Sequence, residues 1–114
     1  MCDQTRLNKI TQEVSQRVQA LLGDRLRDVI LYGSYARGDY DEESDIDIMV
    51  LADVGEDEIR PFQRKINIIS SDVSLENDIT VFIKLNDKSL FEQRLPILTF
   101  YQNVINDGVP IYAV

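Results

Sequence analysis

GSYARGDYDEESDIDIMV, residues 33–50, sets Gly-Ser, Arg-Gly and Ser-Asp-Ile-Asp in close succession. Two acids separated by one apolar residue are an ordinary pattern at a solvated strand edge. Behind a Gly-Ser turn they can instead be the metal-holding half of a phosphate-handling site. Residues 45–51, DIDIMVL, alternate and then become wholly apolar, which predicts a strand. Residues two apart in a strand share a face, so Asp45 and Asp47 project together while Ile46 and Ile48 face the core. Their Cα atoms would lie about 6.5–7 Å apart, and both carboxylates could reach one divalent cation. A bound Mg²⁺ would remove the repulsion between them.

The preceding residues supply a matching half. Residues 28–33, DVILYG, form an apolar run ending in glycine, as expected of a buried strand whose end lets the backbone approach a phosphate oxygen. Ser34 would open a helical turn over residues 34–37, offering a hydroxyl and N–H groups at the positive end of the turn. Arg37 can donate to phosphate, or brace the loop through Asp39 or Asp41. Ser44 can hydrogen-bond phosphate or orient Asp45. Asp78 would open a further strand over residues 78–85, DITVFIKL. If that strand pairs beside residues 45–51, a third carboxylate joins, enough to hold two Mg²⁺ ions about 3.5–4 Å apart for in-line phosphoryl transfer. The plainer reading of Asp78 is strand-start or helix-end chemistry. Asp39, Asp41, Glu42 and Glu43 read as an exposed loop. Tyr32 belongs with the core, whereas Tyr35 and Tyr40 bracket the turn and suggest base stacking.

Outward from this stretch, Leu7, Ile10, Val14 and Val18 recur at helical spacing, predicting a helix over residues 4–22 stopped at Gly23. Ile59, Phe62, Ile66, Ile69 and Val73 predict a second helix over residues 56–74, with Pro61 in its first turn. A short helix over residues 87–94 and another from Pro96 to about Asp107 follow. VPIYAV closes the sequence as a short strand or a tail. The order α-β-α-β-α-β-α-α describes an α/β (α+β) fold, a small mixed sheet flanked by helices. Leu98, Tyr101, Val104 and Ile105 are candidates for a partly exposed partner surface.

A chain of 114 residues is expected to form a single domain, residues 1–114. No apolar run is long enough for a membrane helix, and the MCDQTRLNKI start lacks a signal-peptide pattern; a cytoplasmic protein is expected. The single cysteine, Cys2, is expected at a frayed terminus and excludes a disulfide framework. The absence of histidine excludes Ser-His-Asp chemistry and His-ligated zinc. A net charge of −8 opposes non-specific binding to a phosphate backbone. Nucleotide would have to bind at a local site with metal ions offsetting the acids.

Gly33-Ser34, Arg37-Gly38 and Ser44-Asp45-Ile46-Asp47 together resemble the signature of the DNA polymerase β-like nucleotidyltransferases. The resemblance is closest to their minimal nucleotidyltransferase branch, with its pattern G-S-x-A-R-G-D-x-x-x-x-S-D-I-D-L-x-V. Every fixed position is met, except that Ile48 stands where Leu is usual. The resemblance implies a polymerase β palm-like fold and transfer of a nucleoside monophosphate, from ATP or another NTP, with pyrophosphate leaving. It implies that Asp45 and Asp47 hold two Mg²⁺ ions and that Asp78 ligates the catalytic ion and helps deprotonate the attacking hydroxyl. Gly33 and Ser34 would bind the β- and γ-phosphates, with Arg37 and Ser44 nearby. Small members resemble antitoxins that adenylylate a HEPN-family toxin. Larger relatives append an acceptor-binding domain, so here the acceptor is expected on a partner, on a second copy in a homodimer, or to be a protein itself. Two other functions stay open: an antitoxin acting by contact without catalysis, and an aminoglycoside-type transferase using Glu42, Glu43 or Asp53 in an acceptor pocket.

Overall fold

The computed structural model describes residues 3–113; Cys2 lies outside them. Helix α1 (Gln4–Leu22) starts where the Asp3 side chain accepts the Arg6 N–H at 2.8 Å, and it ends at Gly23 with φ 54°. Leu7, Ile10, Val14, Val18 and Leu22 are buried along one stripe, as the period-3.6 spacing requires. Strand β1 (Leu26–Tyr32) leads through the single turn α2 (Ser34–Arg37) to strand β2 (Ile46–Ala52). Helix α3 (Ile59–Asn77) then crosses to β3 (Val81–Asp87), followed by α4 (Lys88–Arg94), α5 (Thr99–Asp107) and β4 (Val109–Ala113). The sheet order is β3-β2-β1-β4, with β2 and β3 parallel and the other pairs antiparallel. The mixed α/β architecture is as expected, and VPIY belongs to a strand.

The two faces of the sheet are covered unequally. Ile46, Ile48, Val50, Val81, Ile83 and Leu85 pack with α1 and α3 in the main core. On the reverse face, Ile30, Met49 and Leu51 pack against Phe91 of α4 and Tyr101 and Val104 of α5. Thus Tyr101 and Val104 are core, whereas Leu98 and Ile105 remain exposed. That cover stops short of Phe82, which is 55% exposed. Along β3, burial alternates strictly at first, leaving Phe82 and Lys84 outward. The incompletely covered end of this face is where Asp47 lies.

Three boundaries differ from the sequence expectation. Helix α3 runs to Asn77, and Asp78 caps it in the left-handed conformation (φ 51°, ψ 43°), its N–H bonded to the Ser74 carbonyl. Asp tolerates this conformation better than most residues, so the helix extends past residue 74 and β3 begins only at Val81. Asp78 therefore does not open the strand. Pro96 opens no helix either; it lies in the turn between α4 and α5, which starts at Thr99. Asp45 falls one residue before β2.

Strand β3 is an edge strand whose outer backbone is satisfied by side chains of α3. Gln63 Nε2 donates to the Ile83 carbonyl at 3.0 Å, and its Oε1 accepts the Leu85 N–H at 2.8 Å. The Ser74 hydroxyl accepts the Val81 N–H at 2.9 Å, and Ser70 donates to the Val81 carbonyl. These bonds remove the open edge that invites foreign strand pairing. Gln63→Leu should lower the urea unfolding free energy by about 1–3 kcal/mol, because it strands two strand groups without partners. An unchanged midpoint would mean that water replaces the amide fully.

Candidate active site

Strand β1 ends at Gly33, whose φ of 76° and ψ of −158° fall in a region open essentially to glycine alone. A Cβ there would lie 2.6 Å from Asp47 Oδ2, so the turn passes directly against the carboxylate. The Gly33 carbonyl accepts the Ala36 and Arg37 N–H groups, each at 3.1 Å, starting α2. Gly38 (φ 85°) ends it. Tyr35 is buried and stacks on Tyr40 at 4.3 Å between ring centroids and 12° between planes. This pair braces the turn, and the buried Tyr35 ring is not a surface for a base.

Asp45 and Asp47 are half-buried at the head of β2. Burial, and then the Asp45 carboxylate, raise the Asp47 pKa, partly offset by the Arg37 guanidinium. Tyr32, paired with Asp47 in the sheet register, is pushed up to about 12 by burial and by the Asp47 charge, so its phenol stays neutral. Two converging carboxylates, one penalised for its charge, form a donor set suited to a hard divalent cation. Mg²⁺ ordinarily takes one or two protein carboxylates and completes its shell with phosphate oxygens and water. The third carboxylate does not join them. Asp78 is an exposed helix cap, and no group of three acidic side chains able to hold a metal occurs among the described residues. The β3 residue opposite Asp47 is Phe82. Both candidate metal ligands thus come from β2 and the residue just before it, rather than from two neighbouring strands.

The remaining residues divide between site and support. Arg37 Nε pairs with Asp39 at 3.2 Å on the surface while its charge still reaches Asp47. The Ser44 hydroxyl accepts the Asp41 N–H at 2.9 Å and lies 3.3 Å from Asp41 Oδ1, which ties the acidic loop to the strand head. Asp53 pairs with Arg27 at 2.5 Å on the surface and lines neither of the clefts that meet at Asp47.

Two clefts meet at Tyr32 and Asp47. One, of about 350 Å³, is lined by Gly33, Ser34, Arg37 and, from α5, Phe100, Asn103 and Asp107. The other, of about 400 Å³, is lined by Gln63, Asn67, Phe82 and Lys84. The α5 residues were not recognised from the sequence. Their i, i+3, i+7 spacing puts them on one helical face beside the buried Tyr101–Val104 stripe, a signal that acquires meaning only once α5 is docked.

A glycine-serine turn locked against paired carboxylates, on a mixed sheet with helices on both faces, defines the class of phosphate-handling α/β transferases. Residues 7–105 match the family model described as the nucleotidyltransferase domain, and the chain belongs to that family. A protein of Methanocaldococcus jannaschii, named as a candidate protein adenylyltransferase, is 45% identical over 103 residues, spanning 90% of this chain and 96% of that protein. A candidate nucleotidyltransferase from Sulfolobus solfataricus superposes with a TM-score of 0.58 at 23% identity, covering 96% of this chain and 83% of the other. A toxin–antitoxin structure with AMP-PNP gives 0.56 at 18% identity, covering 91% and 73%. These two structural likenesses establish the fold.

Gly33→Ala should cost about 1–3 kcal/mol of stability and lower nucleotidyl transfer by more than tenfold by displacing Asp47; parallel melting curves and label-transfer assays check both effects. For Asp47, the stability of the protonated form is fully present below its unfolded pKa, near 3.8, and is lost as pH rises through the raised folded value. Asp47→Asn should therefore melt a few degrees above the parent at pH 7 and level with it at pH 3. Added Mg²⁺ should raise the melting temperature of the parent and not of the variant.

Proposed function

We propose that this chain transfers AMP from ATP, in a Mg²⁺-dependent reaction, to a hydroxyl group on a partner protein, and that the partner is a HEPN-family toxin it silences in the cytoplasm. The observation that carries the reading is the contact of Gly33 with Asp47, which sets a phosphate seat beside paired carboxylates. The name borne by the 45%-identical relative supports a protein acceptor. The HEPN partner rests on the resemblance of the motif and on the toxin–antitoxin fold neighbour.

In this reading Asp45 and Asp47 would hold the cation, which would neutralise charge on the phosphates. Ser34 and Arg37 hold the β- and γ-phosphates. The acceptor oxygen attacks the α-phosphorus, a new O–P bond forms, and the bond to the pyrophosphate oxygen breaks with its electron pair leaving on pyrophosphate. With Asp78 outside the pair, the hydroxyl proton passes to water in the open half of the site. A second reading, neutralisation of the partner by contact alone, is favoured by the missing third carboxylate.

Incubation with α-labelled ATP, Mg²⁺ and a HEPN-family toxin encoded beside this chain should label that protein. Asp45→Asn and Asp47→Asn should each reduce labelling at least a hundredfold. Neutralisation that survives both substitutions would decide for contact. Asp78→Asn is the third arm: retained labelling confines the site to Asp45 and Asp47, and lost labelling brings the cap residue into it.

A further inference from the structure

We infer that α5 is the base-recognising wall of the donor site, with Phe100 as the stacking platform for the nucleobase and Asn103 as the residue that selects adenine. The inference rests on the nucleotidyl-transfer reading above and adds to it the choice of base.

Burial fixes how α5 is turned about its axis. Tyr101 and Val104 pack against Ile30, Met49, Leu51 and Phe91, so the adjoining face carrying Phe100, Asn103 and Asp107 is held toward the Gly33–Ser34 turn. Phe100 is 47% exposed. Tyr32 meets it in a T-shaped pair at 5.7 Å and 71°, and Tyr101 packs beside it at 5.9 Å and 54°; these contacts steady a ring that still lines the cleft. An exposed aromatic ring beside a phosphate seat is suited to a base, because every base has a π-face.

Asn103, one turn further on, is exposed, and its amide makes no hydrogen bond among the described residues. An amide offers one donor group and one acceptor, matching the N6–H and N7 pair of adenine. Guanine presents two acceptors on the same edge and would face the amide oxygen with a lone pair. Asp107 gives the direction. Its carboxylate repels phosphate, so the triphosphate belongs at the Ser34 and Arg37 end, with ribose and base along α5.

The test is calorimetric titration of the full chain, with Mg²⁺, against non-hydrolysable ATP and GTP analogues and against inorganic triphosphate. The parent should bind the ATP analogue at least tenfold tighter than the GTP analogue. Phe100→Ala should weaken both analogues at least tenfold and change triphosphate affinity less than twofold. Asn103→Leu should bring the two analogues within threefold of each other; Asn103→Ser provides a second variant should the leucine disturb folding. Ile105→Ala, exposed on α5 but outside the cleft, should bind as the parent does. Equal affinity of the parent for the two analogues, or full analogue binding by Phe100→Ala, would overturn the assignment to α5. Failure of the parent to bind even triphosphate would overturn the transferase reading itself.

Discussion

The approach of the Gly33 backbone to the Asp47 carboxylate, where a Cβ would fall 2.6 Å from Oδ2, constrains what every other element can do. It requires that Tyr32 lie opposite Asp47 in the β1–β2 register, as it does. Slipping β2 by one residue would turn Asp47 into the core and Ile48 to the cleft. Ile46, Ile48 and Val50 are fully buried, so the hydrophobic pattern of β2 holds the carboxylate in place. Core and site are therefore one constraint: the residues that drive the sheet together also decide which acid meets the turn.

Charge is distributed to suit that arrangement. The chain carries −8, yet the charge of a cation, Arg37, reaches the half-buried Asp47 carboxylate. Its pair with Asp39 is solvent-exposed, and such pairs contribute about 0–1 kcal/mol. The pair can therefore open at little cost, and the guanidinium is not committed to bracing the loop. Ser44 serves differently. Its bonds to Asp41 hold the acidic loop at the strand head, next to Asp45.

Features set by neighbouring residues were legible in the sequence. The Gly-Ser turn, the outward turn of Asp47 from the buried Ile46 and Ile48, and the α1 and α3 stripes all follow from period and local backbone chemistry. Asp78 was misplaced because its position depends on where a helix yields to a strand. Ser74 through Asn77 can continue the helix, and the left-handed tolerance of Asp78 lets the turn close there. A shift of three residues then removes a carboxylate from the strand. The α5 wall was hidden for another reason: Phe100 and Asn103 lie far from the motif in sequence, and only the docking of Tyr101 and Val104 against the sheet brings them to it.

The residue that stands opposite Asp47 on β3 decides the remaining geometry. With Phe82 there, the second flank of Asp47 is aromatic and open rather than acidic, and Lys84 lies two residues further along the same side. If the donor occupies the cleft walled by α5, the acceptor hydroxyl must arrive from the Phe82 side, because the other face of β2 is sealed by α1 and α3. Donor and acceptor then meet across Asp47 from opposite clefts, the relation an in-line displacement needs. On that arrangement the proposed partner would present its nucleophile across the apolar threshold formed by Phe82.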